Sequence, residues 1–263
     1  MLLFFILFIA AWVLIIFTQA TFPNQTVISY FVRISAAVIA VLLMIVGNNR
    51  LLEKSNIPKE ALGLKLCSKS FINFILGGGI GMTVIILIGL ILYAFVPFHF
   101  ITGSLKGMEV LKEAHSYFWG NFFEELTFRG FPLIVVSRLL GWRKAAWIMA
   151  LPFGLSHLIG LGLPIEGLKM VITTATYSFI FTYAFILTGT LWTAIGAHVI
   201  SNILLHSVSG LDGQNKAMLQ PIFETKWPAD YDPGIISFVL GSIIISIILF
   251  MFIKKRFDTS SSK

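Results

Sequence analysis

Long apolar runs separated by short polar breaks dominate the chain, and the length of each run is the first constraint. A helix crossing the roughly 30 Å hydrocarbon core of a bilayer needs about 20 mostly apolar residues. Read with that measure, the segments roughly at 2–20, 27–47, 71–96, 110–137, 144–161, 166–187, 190–208 and 234–253 qualify. The runs are continuous rather than alternating, which excludes membrane-spanning β-strands. The first run has no basic segment ahead of it and is too long for the apolar part of a signal peptide, so it reads as a retained helix. The expected fold is an all-α polytopic membrane protein, with about eight transmembrane helices in one membrane domain over 1–263.

Composition closes off other classes. Hydrophobic residues make up 57% and charged residues 12%, against about 25% charged in soluble domains. With a mean hydropathy of +0.91, neither a water-soluble globule nor a disordered chain is tenable. The single cysteine, Cys67, excludes an internal disulfide and a cysteine-rich zinc site. The net charge of +7 lacks a dense basic tract with interleaved aromatics, so nucleic acid is not the expected partner. The basic residues instead mark orientation. Arg50, Lys54, Lys59, Lys65 and Lys69 fall in the 50–70 linker, Arg138, Arg143 and Lys144 in the 137–145 turn, and Lys254, Lys255, Arg256 and Lys263 in the tail. With eight spans these share one side with both termini, while Lys106, Lys112, Lys169, Lys216 and Lys226 fall on the other. The excess of basic residues assigns both termini to the cytoplasm. The linker admits two readings, a short interfacial helix carrying Leu62, Leu64, Leu66 and Phe71, or a solvated loop. Gly77, Gly78, Gly79 and Gly81 suit close helix packing. No internal repeat is evident.

Charges inside a span cost about 2.5–3.5 kcal/mol each on insertion scales, yet the fourth span carries Glu124, Glu125 and Arg129. Glu125 and Arg129 stand at i and i+4 and can pair on one face. Glu124 lies about 100° around the helix, with no cation at that spacing, and must look to a neighbouring helix. His157 follows Pro152, which should kink the fifth span. His198 and Asn202 share a face of the seventh. Convergence of these groups on one polar cavity is the least costly way to satisfy them. Taken singly, each intramembrane histidine reads more readily as a hydrogen-bonding packing residue than as a catalyst. Thr127, Ser156 and Ser201 read as packing hydroxyls, and His99, His115, Asn121 and His206 receive no role.

Such a set suits peptide hydrolysis by activated water. A poorly solvated glutamate can serve as general base and then acid, while histidine and asparagine can stabilise an oxyanion. The same residues also suit a zinc site with an open position for water, although the His-Glu-x-x-His helix is missing. Without a Gly-x-Ser-x-Gly elbow, serine catalysis is disfavoured. Cys67 lies in the basic linker, far in sequence from the polar set.

The three motifs, Glu124-Glu125-x-x-x-Arg129, Phe153-x-x-x-His157 and His198-x-x-x-Asn202, resemble those of the CAAX-protease and bacteriocin-processing family of intramembrane endopeptidases. The resemblance covers residues 110–208, which would form the catalytic core. It implies that Glu124 activates water with help from His157, that His198 and Asn202 form the oxyanion site, and that Glu125 and Arg129 shape the pocket. The family has been described both as zinc-dependent and as metal-free, and both schemes stay open here; a metal would take Glu124, His157 and His198. The implied partners are membrane lipid and a membrane-associated protein or peptide substrate, with the bacterial cytoplasmic membrane as the expected location. Prenylated CAAX substrates belong to eukaryotic members, and peptide maturation or bacteriocin immunity to prokaryotic ones. A proton-coupled carrier and a non-catalytic immunity or scaffold protein are the alternatives, since intramembrane Glu and His also build proton relays.

Overall fold

The computed structural model describes residues 2–22, 26–158, 165–213, 216–225 and 232–260. Helices dominate: α1 (Leu2–Thr21), α2 (Val27–Lys54), α3 (Ser68–Phe95), α4 (Gly107–Phe128), α5 (Phe131–Leu140), α6 (Trp142–Ser156), α7 (Ile165–Thr188), α8 (Leu191–Asn202) and α9 (Pro233–Ser260). A π-helix over Ile203–Ser209 continues α8. Five helical segments are long and apolar enough to cross a membrane: Val27–Lys54, Ser68–Phe95, Ile165–Thr188, Leu191–Ser209 and Pro233–Asp258. The stretch Ile6–Thr18 is apolar but shorter. The chain is a polytopic helical membrane protein; five of the eight expected spans meet that criterion, the first is represented by the shorter apolar stretch, and two others depart in helix geometry.

Of those two, the first is 110–137, expected as one helix. It breaks at Arg129 and Gly130 into α4 and α5. A Cβ at Gly130 would run into the Asn48 side chain and the Leu126 carbonyl, so the close turn requires glycine. Pro132 then sits in the first turn of α5, where its missing N–H costs nothing. The second is 144–161. The helix stops at Ser156 after 15 residues, about 22 Å of length at 1.5 Å per residue, which is short of a full crossing. Residues 159–161 of that expected span lie outside the described residues.

Helix α3 packs against α8 along a seam of small residues. Gly77 abuts the Thr193 carbonyl, Gly81 the Ala197 carbonyl, and Gly196 the Phe74 carbonyl, where a Cβ would meet backbone. Helix α1 lies on α2, α6 on α7, and α9 against both α3 and α7. The 50–70 linker has no interfacial helix. It makes one 3₁₀ turn over Lys59–Leu62, buries Leu62, and leaves Leu66 exposed before Cys67, the N-cap of α3. Two short strands add an element that the run lengths did not suggest. β1 (Phe98–Thr102) pairs antiparallel with β2 (Leu219–Phe223), Phe100 opposite Pro221.

Three basic segments meet at one end of the bundle, opposite this sheet. Thr190 Oγ1 donates to the Gly63 carbonyl at 2.7 Å. Arg256 donates to the Leu187 carbonyl, and Trp142 stacks on Phe257. Linker, 137–145 turn and tail are thereby neighbours. Lys226 and Lys263 lie outside the described residues.

Cys67 sits exposed at this basic end, and hydrogen bonding with Ser70 holds its thiol below the ordinary value. With the basic end in the cytoplasm, a membrane-impermeant maleimide should leave Cys67 unlabelled in intact cells and label it after lysis. Labelling of intact cells would reverse the orientation.

Candidate active site

The break between α4 and α5 builds the site. A helix end leaves carbonyls and N–H groups unsatisfied, and here α2 answers both. Asn48, fully buried, donates to the Leu126 carbonyl at 3.2 Å and to Met44 O at 2.7 Å, and accepts from the Phe131 N–H at 2.5 Å. With the break so supported, Arg129 caps α4 and turns its side chain inward.

Arg129 is fully buried, and its hydrogen bonds are met from several sides. Nη1 donates to Glu125 Oε1 at 3.1 Å, Nη2 to Ser178 O at 2.9 Å and Ser178 Oγ at 2.6 Å, and Nε to Thr182 Oγ1 at 3.3 Å. The guanidinium lies 4.4 Å from the Phe153 ring centroid and 5.3 Å from that of Phe181, a favourable cation–π placement. The i, i+4 pair expected from spacing is therefore present, with both partners shielded from solvent.

Glu125 Oε1 also stands 2.8 Å from His198 Nδ1. An ionised carboxylate only accepts, so Nδ1 carries the proton and Nε2 is left for the cavity. Phe181 stacks on the imidazole at 4.2 Å and holds its plane. His157 is fixed in the same tautomer by another route. It caps α6, and its Nδ1 lies 2.8 Å from the Phe153 carbonyl, which can only accept. Both histidines thus have Nε2 uncommitted by these bonds.

Glu124 is the other half of the acidic pair. Its side chain is 32% exposed, where that of Glu125 is 0%. Glu124 Oε2 lies 3.8 Å from His198 Nε2 and has no hydrogen-bond partner among the described residues. Glu124, His157, His198 and Asn202 all line one cavity of about 460 Å³. Glu124 and His157 also line a second, of about 300 Å³, beside Phe8, Trp12 and Ile15 of α1. Asn202 Nδ2 donates to Asn121 Oδ1 at 3.2 Å.

Residues 109–204 match the family described as type II CAAX prenyl endopeptidase Rce1-like. The chain is similar to that family over this segment. The match begins one residue before the expected core and takes in all three motifs. No curated protein matches the chain. Together with the long apolar helices, the family match supports an integral membrane protease of the CAAX type, set in lipid and acting on a peptide substrate.

The zinc scheme fits this site less well. No group of three or more His, Cys, Asp or Glu side chains among the described residues is arranged to hold a metal ion. Glu124, His157 and His198 share a cavity without forming such a group. Sequence reasoning also missed residues. Asn121 is buried against Asn202, and its position three before Glu124 was the available signal. Asn48 lies just past the expected end of the second span and carried no signal of its role. His206 lines the cavity, four residues beyond Asn202 on the His198 face. Three other groups lie elsewhere. His115 bonds Tyr30 and Trp119. His99 is in β1. Cys67 is at the basic end.

Replacing Arg129 with Met leaves the Glu125 carboxylate buried without its cation, a loss of about 3–5 kcal/mol. Asn48→Leu leaves the helix ends at Leu126 and Phe131 without their side-chain partner, about 1–3 kcal/mol. Thermal unfolding in detergent should show Arg129→Met as the larger drop. Equal stability of Arg129→Met and wild type would contradict the pairing.

Proposed function

We propose that the chain is an intramembrane endopeptidase in which Glu124 and His157 activate water. The observation that carries this reading is the division between adjacent glutamates. Glu125 is shut off from solvent with Oε1 committed to Arg129 and His198, while Glu124 is partly exposed and lines the cavity. A general base must be able to reach its water, and Glu124 meets that condition.

In the proposed reaction, a water molecule between Glu124 and His157 gives its proton to the Glu124 carboxylate as its oxygen bonds to the substrate carbonyl carbon. His157 Nε2 orients the water by accepting its second hydrogen. The tetrahedral oxyanion is met by Asn202 Nδ2–H and by His198, which in its doubly protonated form donates Nε2–H while Nδ1–H stays on Glu125. Fixed donors of this kind act where charge develops. Glu124 then passes its proton to the leaving nitrogen, the C–N bond breaks, and the carboxylate is restored. The products are a free amine and a carboxylic acid, which ionises in water. Arg129 acts through Glu125, offsetting a second negative charge close to Glu124. The substrate is a membrane-associated protein or peptide, and the basic end of the bundle faces the cytoplasm.

Purified protein in liposomes, offered a pool of acyl-anchored peptides, should release cleaved fragments. Glu124→Gln should lower the rate by at least about 100-fold with thermal stability near that of wild type. Undiminished cleavage by that variant would remove Glu124 from the mechanism. Metal content and chelator treatment test the chemistry separately. Activity is expected to persist in metal-free protein, and one equivalent of zinc with chelator-sensitive cleavage would overturn the metal-free route.

A further inference from the structure

The cavity carries a second histidine–carboxylate pair that the hydrolytic scheme does not use. His206 Nδ1 lies 2.6 Å from Asp212 Oδ2. Both residues line the same cavity as Glu124, His198 and Asn202. Asp212, as a carboxylate, accepts from Nδ1–H, so Nε2 is the nitrogen left to act. The pair is held in place on several sides. Tyr117 stacks on the His206 ring at 5.8 Å and 28°. The neighbouring Ser207 donates to the Glu113 carboxylate of α4, and its carbonyl accepts from the Met218 N–H at 2.9 Å. Gly210, at φ +58, reverses the chain and returns Asp212 to the imidazole.

The π-helix is the local device. A wider turn in an otherwise α-helical segment is costly and tends to occur at functional sites. Here it lies directly after Asn202, and His206 falls within it. His206 is eight residues beyond His198, so their Cα atoms are separated along the axis by up to about 12 Å. An extended peptide covers about 3.3 Å per residue. A substrate whose scissile bond lies at His198 therefore reaches His206 with its third or fourth residue.

We propose that His206, oriented by Asp212, binds the substrate chain three or four residues from the scissile bond, accepting a hydrogen bond at Nε2 from a substrate N–H. This rests on the endopeptidase reading above. His206 is a substrate-binding residue in this account, and Asp212 a positioning residue that acts through it. A purely structural His–Asp pair would instead fasten the turn after the π-helix and affect every substrate equally.

The test uses the full chain in liposomes of phosphatidylcholine and phosphatidylglycerol. The probes are internally quenched eight-residue peptides with an N-terminal palmitoyl anchor, first as a randomised pool. The peptide that wild type cleaves fastest is then shortened from each side of the scissile bond. His206→Ala should raise KM about tenfold, with a smaller change in kcat. His206→Gln keeps an acceptor and should recover part of the loss, and Asp212→Asn should fall between it and wild type. One truncation series should bring wild type down to the His206→Ala level when the third or fourth residue is removed, without further loss in the variant. A fall in kcat at unchanged KM, or a constant ratio of wild type to His206→Ala across both series, overturns the proposal. Cleavage lost in Glu124→Gln but identical in His206→Ala and wild type sinks this inference alone. No cleavage by wild type sinks the endopeptidase reading and this inference with it.

Discussion

A guanidinium buried inside a helical bundle has to find a partner for its charge and for its donors, and the way Arg129 does so organises this protein. Its charge is met by Glu125, its remaining hydrogen bonds by Ser178 and Thr182, and its face by Phe153 and Phe181. These partners come from α4, α6 and α7, so one side chain ties three helices together. A buried ion pair is not a cheap source of stability, because desolvation consumes much of the Coulombic gain. Its value here is positional. The same Glu125 oxygen that meets Arg129 also takes the His198 Nδ1–H, so the ion pair sets the tautomer of the cavity imidazole.

That arrangement depends on breaking a helix inside the membrane domain. In lipid every backbone group must be satisfied within the protein, and a break exposes both ends. Asn48 bridges them with one amide, its oxygen on the Phe131 N–H and its nitrogen on the Leu126 carbonyl. Gly130 permits the approach, and the break swings Arg129 off the helix axis toward α7. Two glutamates adjacent in sequence then have opposite environments. Glu125 is closed in by cationic and imidazole partners, and Glu124 is turned to a cavity large enough for water and a peptide segment. The Phe153 motif position has a double task of the same kind, its ring beneath Arg129 and its carbonyl on His157 Nδ1.

Much of this was legible in the chain. Apolar run length foretold helices, and all five segments that meet the spanning criterion coincide with expected spans. Charges at i and i+4 foretold the Glu125–Arg129 pair, and the absence of a cation for Glu124 foretold its turn away from that pair. Run length could not foretell the break at Gly130, because a broken and an unbroken apolar stretch have the same composition. His206 was passed over because it falls near the end of a run, where polar residues need no explanation. Only the π-helix and the return of the chain at Gly210 bring Asp212 beside it.

Sequence alone determined the solvent in which this protein lives, the helices it forms, and the polar groups that would have to be satisfied inside them. Those outcomes follow from hydrophobicity and helical period, which are local properties of the chain. Tertiary structure decided which carboxylate is shielded and which faces the cavity, which imidazole nitrogen is left free, and that Asn48 from another helix secures the break. Such outcomes depend on hydrogen-bond partners 49 to 83 residues away. No periodicity within one helix encodes a partner at that distance, because the choice is made by packing and by the need to leave no buried charge alone.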